Sequence, residues 1–242
     1  MANPVLAEAT RGPLVESRHR GAVAVFDADG NQIFVAGDID APVYPRSAVK
    51  AIQALPLVES GAADALGFGT REIALAQSSH NGERGHVETA LSMLAKAGLS
   101  ADDLECGPQW PSLRAAGNEL VKAGLQPGPE HNNCSGKHAG FLSFAIHSGF
   151  DSKGYVEPDH PVQQAIRAAM EDLTGAAHAA DRCGRDGCSI PTYAIPLKAL
   201  AHGFARFGTG TGLSAERTAA ARRIFAAATA EPWFIAGTGR FC

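Results

Sequence analysis

The sequence predicts an α+β fold, an antiparallel sheet packed with helices, and three observations carry that prediction. Apolar runs flank Asp29-Gly30 in AVAVFDADGNQIFVAG (22–37), the pattern of two strands around a hairpin turn. From Ser47 to about Ala228, apolar residues recur at three-to-four spacing, the period of helices with one buried face. Strands therefore precede helices, without the β–α alternation that builds a parallel sheet.

In chain order, a first strand is expected near 4–8, beside the hairpin. DIDAPVYPR (38–46) has two prolines and no period, so it reads as a linker. Helical patterns follow over 47–55, 70–77, 85–98, 111–124, 136–149, 160–175 and 213–230, with Gly or Pro near their ends. More strands are expected beyond residue 232. No fixed-period repeat interrupts the 242 residues, which read as one domain over 1–242.

Composition narrows the function. At 45% hydrophobic and 19% charged, the chain has enough apolar residues for a sizeable core. A net charge of −4 speaks against nucleic acid or an anionic membrane as partner. No apolar run approaches a membrane span, and the N-terminus lacks the charged-then-apolar pattern of an export signal. A cytoplasmic protein is expected. The five cysteines are Cys106, Cys134, Cys183, Cys188 and Cys242, an odd count that argues for free thiols or metal ligands rather than a disulfide framework. The closing PWFIAGTGRFC has no polar tail, so the natural protein is expected to continue past Cys242.

Three segments carry candidate chemistry. Ser47-Ala48-Val49-Lys50 is a Ser-x-x-Lys pattern at a helix start. Residues three apart share a helix face, and a lysine made neutral by burial can deprotonate a serine. The bland alternative is a capping serine followed by an exposed lysine. Ser79-His80-Asn81 has the shape of the second motif of serine penicillin-recognising enzymes, or of a capped inter-helix turn. HNNCSGKHAGF (131–141) sets Cys134, Lys137 and His138 at the mouth of an apolar helix. With Cys183 and Cys188 in DRCGRDGCSIP, it offers sulfur and nitrogen donors of the kind zinc takes, or simply buried thiols.

Taken together, YPRSAVKAIQALPLVESGAADALG, LAQSSHNGE, HNNCSGKHAGFL, DGCSIPTYAIPL and PWFIAGTGRFC resemble the rhizobial-type (class 3) L-asparaginases of the asparaginase II family. The resemblance implies a serine β-lactamase/glutaminase-like fold, a homodimer, and hydrolysis of L-asparagine to L-aspartate and ammonia. It implies Ser47 as nucleophile with Lys50 as its base, and Ser79 as the serine of a second serine–lysine pair whose lysine lies beyond residue 242. It implies Zn2+ held by Cys134, Lys137 and Cys188, with Arg46, His138 and Asp186 at the substrate. Two other readings stand beside it. One is a glutaminase or penicillin-recognising hydrolase of the same fold, against which the missing Lys-Thr-Gly weighs. The other is a non-catalytic, metal-stabilised fragment.

Overall fold

The structure is a computed structural model that describes residues 2–240. Cys242 and the end of the PWFIAGTGRFC segment lie outside the described residues.

The strands come in antiparallel pairs. Strand β1 (Val5–Arg11) reverses at Gly12-Pro13 into β2 (Leu14–Arg20). Gly12 sits at φ 58°, a left-handed turn position that suits glycine. Exposed pairs Arg11–Glu16 and Arg18–Glu8 cross this hairpin. Strands β3 (Val23–Phe26) and β4 (Gln32–Ala36) form the hairpin expected over 22–37. Its loop is held by Asp27, whose carboxylate accepts from the amides of Asp29 and Asn31. Strand β5 (Pro42–Val43) pairs with β8 (Ile195–Pro196), and β6 (Cys183–Arg185) with β7 (Pro191–Tyr193).

The mixed α+β class is thus present, with about half of the described chain helical. The single sheet is not: the described residues form four two-stranded sheets. The expected strand near 4–8 exists, but it pairs with β2 rather than with the second hairpin. Proline explains part of the fragmentation, because Pro42 and Pro196 sit opposite each other and neither has an amide to extend the ladder.

The helices are α1 (Lys50–Gln53), α2 (Leu55–Glu59), α3 (Ala62–Ala65), α4 (Thr70–Ala76), α5 (Arg84–Lys96), α6 (Arg114–Lys122), α7 (Ser135–His147), α8 (Pro161–Thr174), α9 (Leu197–Thr209), α10 (Ala215–Ala230) and α11 (Pro232–Ile235). The helix expected over 47–55 is divided. A 3-10 turn covers Arg46–Val49, α1 follows, and α2 restarts around Pro56, which cannot donate to an unbroken helix. Helix α9 was not among the expected segments. Helix α11 occupies the region where more strands were expected.

Helix α7 is the axis of the core. Every residue from Ser135 to Ala145 is buried, and α4, α5 and α3 pack around it. A helix buried on all sides shows no strong apolar stripe. Gly136 makes the close approach possible: a Cβ there would lie 2.5 Å from the Leu75 carbonyl oxygen of α4. Ile52, Leu55, Leu75, Met93, Leu94 and Leu142 fill the surrounding core.

Candidate active site

Two buried lysines define the site. Lys50 is 2% exposed and Lys137 is 1% exposed, and lysines are almost never buried without partners. Lys50 reaches inward from α1. Its Nζ donates to Ser78 O at 2.5 Å, Ser79 Oγ at 2.8 Å and Cys134 Sγ at 3.1 Å. An ammonium would use all three protons here; a neutral amine keeps two and turns its lone pair to the Ser79 hydroxyl, which can donate to it. Lys137, in the first turn of α7, directs its Nζ to Cys188 Sγ at 3.1 Å.

The two thiols differ in acidity. Cys134 is held down to about 5 by the hydrogen bond from Cys188, and by the charges of Lys137 and Lys50, against the cost of burial. Cys188 is pushed up by donating that same bond and by burial. The pair therefore favours ionisation at Cys134 over Cys188. Burial pushes Lys50 below the ordinary lysine value, opposed by the Cys134 charge and aided by that of Lys137. Among the described residues no three His, Cys, Asp or Glu side chains gather as a metal-ligand group. The donors that do gather are two sulfurs and the Lys137 amine.

A polar cavity of about 170 Å³ opens against this centre, lined by Arg46, Ser47, Gln109, Asn133, Cys134, Asp186 and Cys188 among others. Ser47 stands on the 3-10 turn and is exposed, and no side-chain hydrogen bond joins it to Lys50. The Ser-x-x-Lys pattern thus brings Ser47 to the cavity wall and sends Lys50 into the interior, where it meets Ser79 instead.

Arg46 and Asp186 meet at the cavity. Arg46 Nε and Nη2 each lie 2.9 Å from Asp186 Oδ1. Burial pushes the Asp186 carboxyl up, but the Gly187 amide and Arg46 outweigh it and hold it low. Both ends of the pair are on shaped backbone: Arg46 has φ 47°, and the β6–β7 turn that carries Asp186 and Cys188 has Ser189 at φ 78°. The cost of a left-handed residue outside glycine is kept where the surrounding structure fixes it, often at functional sites.

His138 lies elsewhere than expected. It is fully buried and not on the cavity wall. Tyr155 OH accepts from the Glu105 amide and so donates its own proton to His138 Nδ1, 2.7 Å away. His138 Nε2 has no partner. Cys183 is also apart from the thiol pair, half-buried on β6 and facing Gly184 O.

Other residues at the site had no assigned role in the sequence reading. Asn132 Oδ1 accepts from the Cys134 amide, and its Nδ2 donates to Cys106 O and Gly107 O, fixing the approach to α7. The Asn-x-Cys spacing signals this Asx turn. Tyr155 and Gln109 had no local signal at all.

The comparisons with known proteins settle the class: this is an amidohydrolase. The chain belongs to the L-asparaginase II family, whose model matches residues 7–242. That membership implies L-asparaginase activity. No curated protein matches the sequence.

Proposed function

We propose that the protein hydrolyses L-asparagine with Ser47 as nucleophile and the Lys50–Ser79 pair as its proton-handling group. The observation that carries this reading is a buried Lys50 whose Nζ contacts Ser79 Oγ at 2.8 Å and also Cys134 Sγ, which lines the same polar cavity as Ser47. Burial favours the neutral amine, which is the form a base requires.

The reaction needs two steps. The Ser47 oxygen attacks the side-chain carboxamide carbon, and its proton passes to the Lys50–Ser79 pair. The pair returns a proton to the departing nitrogen, the C–N bond breaks, and ammonia leaves an ester on Ser47. Water then adds to the ester, and aspartate and the Ser47 hydroxyl are regenerated. An oxyanion forms on the carboxamide oxygen in both steps and needs N–H donors. Ala48 N–H already donates to Pro45 O at 3.0 Å, so it is not a free donor for that role.

Substrate recognition follows from charge. The substrate is a zwitterion, and Arg46 and Asp186 present opposite charges at the cavity. Arg46 suits the α-carboxylate and Asp186 the α-ammonium. Cys134, Lys137 and Cys188 would hold zinc. The donor chemistry fits, because ionisation is favoured at Cys134, Lys137 Nζ meets Cys188 Sγ, and zinc favours sulfur and nitrogen. When bound, zinc would supply a fixed positive charge beside the cavity and lock the two thiols together.

The strand-first, helix-rich order supports the serine β-lactamase/glutaminase-like fold within this reading, which also takes the protein to be a cytoplasmic homodimer. The test is ammonia release from L-asparagine, run beside L-glutamine and a chromogenic β-lactam. Turnover of asparagine is expected. Turnover of the lactam alone would replace the reading, and bound zinc with no turnover of any substrate would mark the chain as a non-catalytic metal-stabilised fragment.

A further inference from the structure

Lys50 can bridge Ser79 and Cys134 only if two separate segments of chain stay in register. One is the loop Ser78–Asn81 after α4, and the other is the start of α7. His80 supplies a direct side-chain bond between them: its Nε2 lies 3.0 Å from Ser135 Oγ. Ser79 and Ser135 are the chain neighbours of His80 and Cys134. The bond therefore joins the residues immediately next to the two groups that Lys50 touches.

The tautomer of His80 follows from its other contact. Gly82 N–H donates to His80 Nδ1 at 3.2 Å, so Nδ1 is an acceptor and carries no proton. Nε2 carries it and donates to Ser135 Oγ. The ring is completely buried. It stacks on His86 with centroids 4.9 Å apart, and His86 stacks on Trp233 at 4.0 Å. His86 is fixed in turn, with Nδ1 accepting from the Glu83 amide and Nε2 3.0 Å from Trp233 O. A ring that only filled space would need none of these polar matches.

We infer that His80 is a positioning residue: it pins the Ser79 loop to the N-terminus of α7 and so sets the separation that Lys50 spans between Ser79 Oγ and Cys134 Sγ. This rests on the reading of the site as an asparaginase centre. Misplacing a catalytic group by about 1 Å costs on the order of 100-fold in rate. The loss falls on kcat, because His80 does not touch the cavity that binds substrate.

The two bonds of His80 can be separated by substitution. H80N keeps an acceptor for the amide two residues on, the ordinary Asx-turn bond, but is too short to reach Ser135. H80Q has the longer reach and a donor for Ser135. The expected result is a loss of about 100-fold in kcat for H80N with KM nearly constant, and recovery of most of that loss in H80Q. S135A removes the other end of the same bond, so adding it to H80N is expected to cost little more. Unchanged kcat in both H80N and S135A overturns the proposal. So does equal impairment of H80N and H80Q in step with a fall in Tm, which would mean a packing role only. The tautomer gives a readout independent of turnover. Long-range nitrogen–proton correlation spectra of the parent are expected to show His80 protonated at Nε2, and protonation at Nδ1 overturns the pin. Absence of ammonia release by the parent enzyme defeats the asparaginase reading alone, while the spectrum still decides the pin.

Discussion

Lys50 Nζ lies 2.8 Å from Ser79 Oγ, while Ser47, three residues before Lys50, lines the cavity. The Ser-x-x-Lys pattern and the second serine are thus joined through one buried amine. In the proposed reaction the amine handles the proton and Ser47 attacks the substrate.

Removing that amine gives the first prediction. Lys50→Met keeps a long apolar stem and deletes the base. Ammonia release should fall by about 1000-fold, within the range for loss of a general base. Tm should fall, since Ser78 O, Ser79 Oγ and Cys134 Sγ each lose a buried partner. Steady-state kinetics and a thermal melt check both parts.

The thiol pair predicts a pH dependence of stability in the metal-free protein. Cys134 is lowered to about 5 in the folded chain from an ordinary value of 9.0. Between pH 5 and 9 the unfolded chain therefore binds a proton there that the folded chain does not, so stability rises with pH and is lost as pH falls through this window. Lys50, pushed down by burial, acts in the same sense below its ordinary value of 10.5. Cys188, pushed up from 9.0, reverses the trend above that pH. Urea midpoints measured from pH 5 to 9 should climb in the parent and flatten in Cys134→Ala.

Metal content tests the sulfur centre. The parent, expressed with zinc and dialysed, should hold about one zinc per chain, and Cys188→Ala should hold far less. Plasma mass spectrometry reads the stoichiometry. An unchanged zinc content in the variant would remove Cys188 from the ligand set.

Asp186→Asn tests recognition. The α-ammonium loses its ionic partner and Arg46 loses its ion pair, so KM for asparagine should rise about tenfold or more, the scale of one charge-assisted hydrogen bond. The change in kcat should be smaller, because the reacting carboxamide lies at the other end of the substrate.

Gly136→Ala tests the packing that places α7. The added methyl would meet the Leu75 carbonyl oxygen at 2.5 Å, an atom of α4 backbone that cannot rotate away. A loss of about 1–3 kcal/mol is expected, the usual cost of overpacking, read as a lower urea midpoint.

Much of this was legible in the sequence, and the parts that were not share physical causes. The 22–37 hairpin and helices α5, α8 and α10 announce themselves through local period and end signals. Strand β2 does not, because LVESRHR is exposed on both faces and so shows no alternation. The cysteines and lysines of HNNCSGKHAGF stand out by their chemistry, yet their partners are distant: Lys50 meets Ser79 across 29 positions and Lys137 meets Cys188 across 51. His138 and Cys183 were drawn to the site by proximity in sequence. In the fold His138 faces Tyr155, and Cys183 lies on β6 outside the turn that presents Cys188.

The measurement that bears most directly on the central claim is the identity of the residue that carries the acyl group. A reactive diazoketone analogue of asparagine can be allowed to inactivate the enzyme, and the labelled peptide then sequenced by mass spectrometry. The account predicts a single adduct on Ser47, protected by L-asparagine and lost in Lys50→Met. An adduct on Ser79, or on the Cys134 sulfur that also lines the cavity, would contradict it.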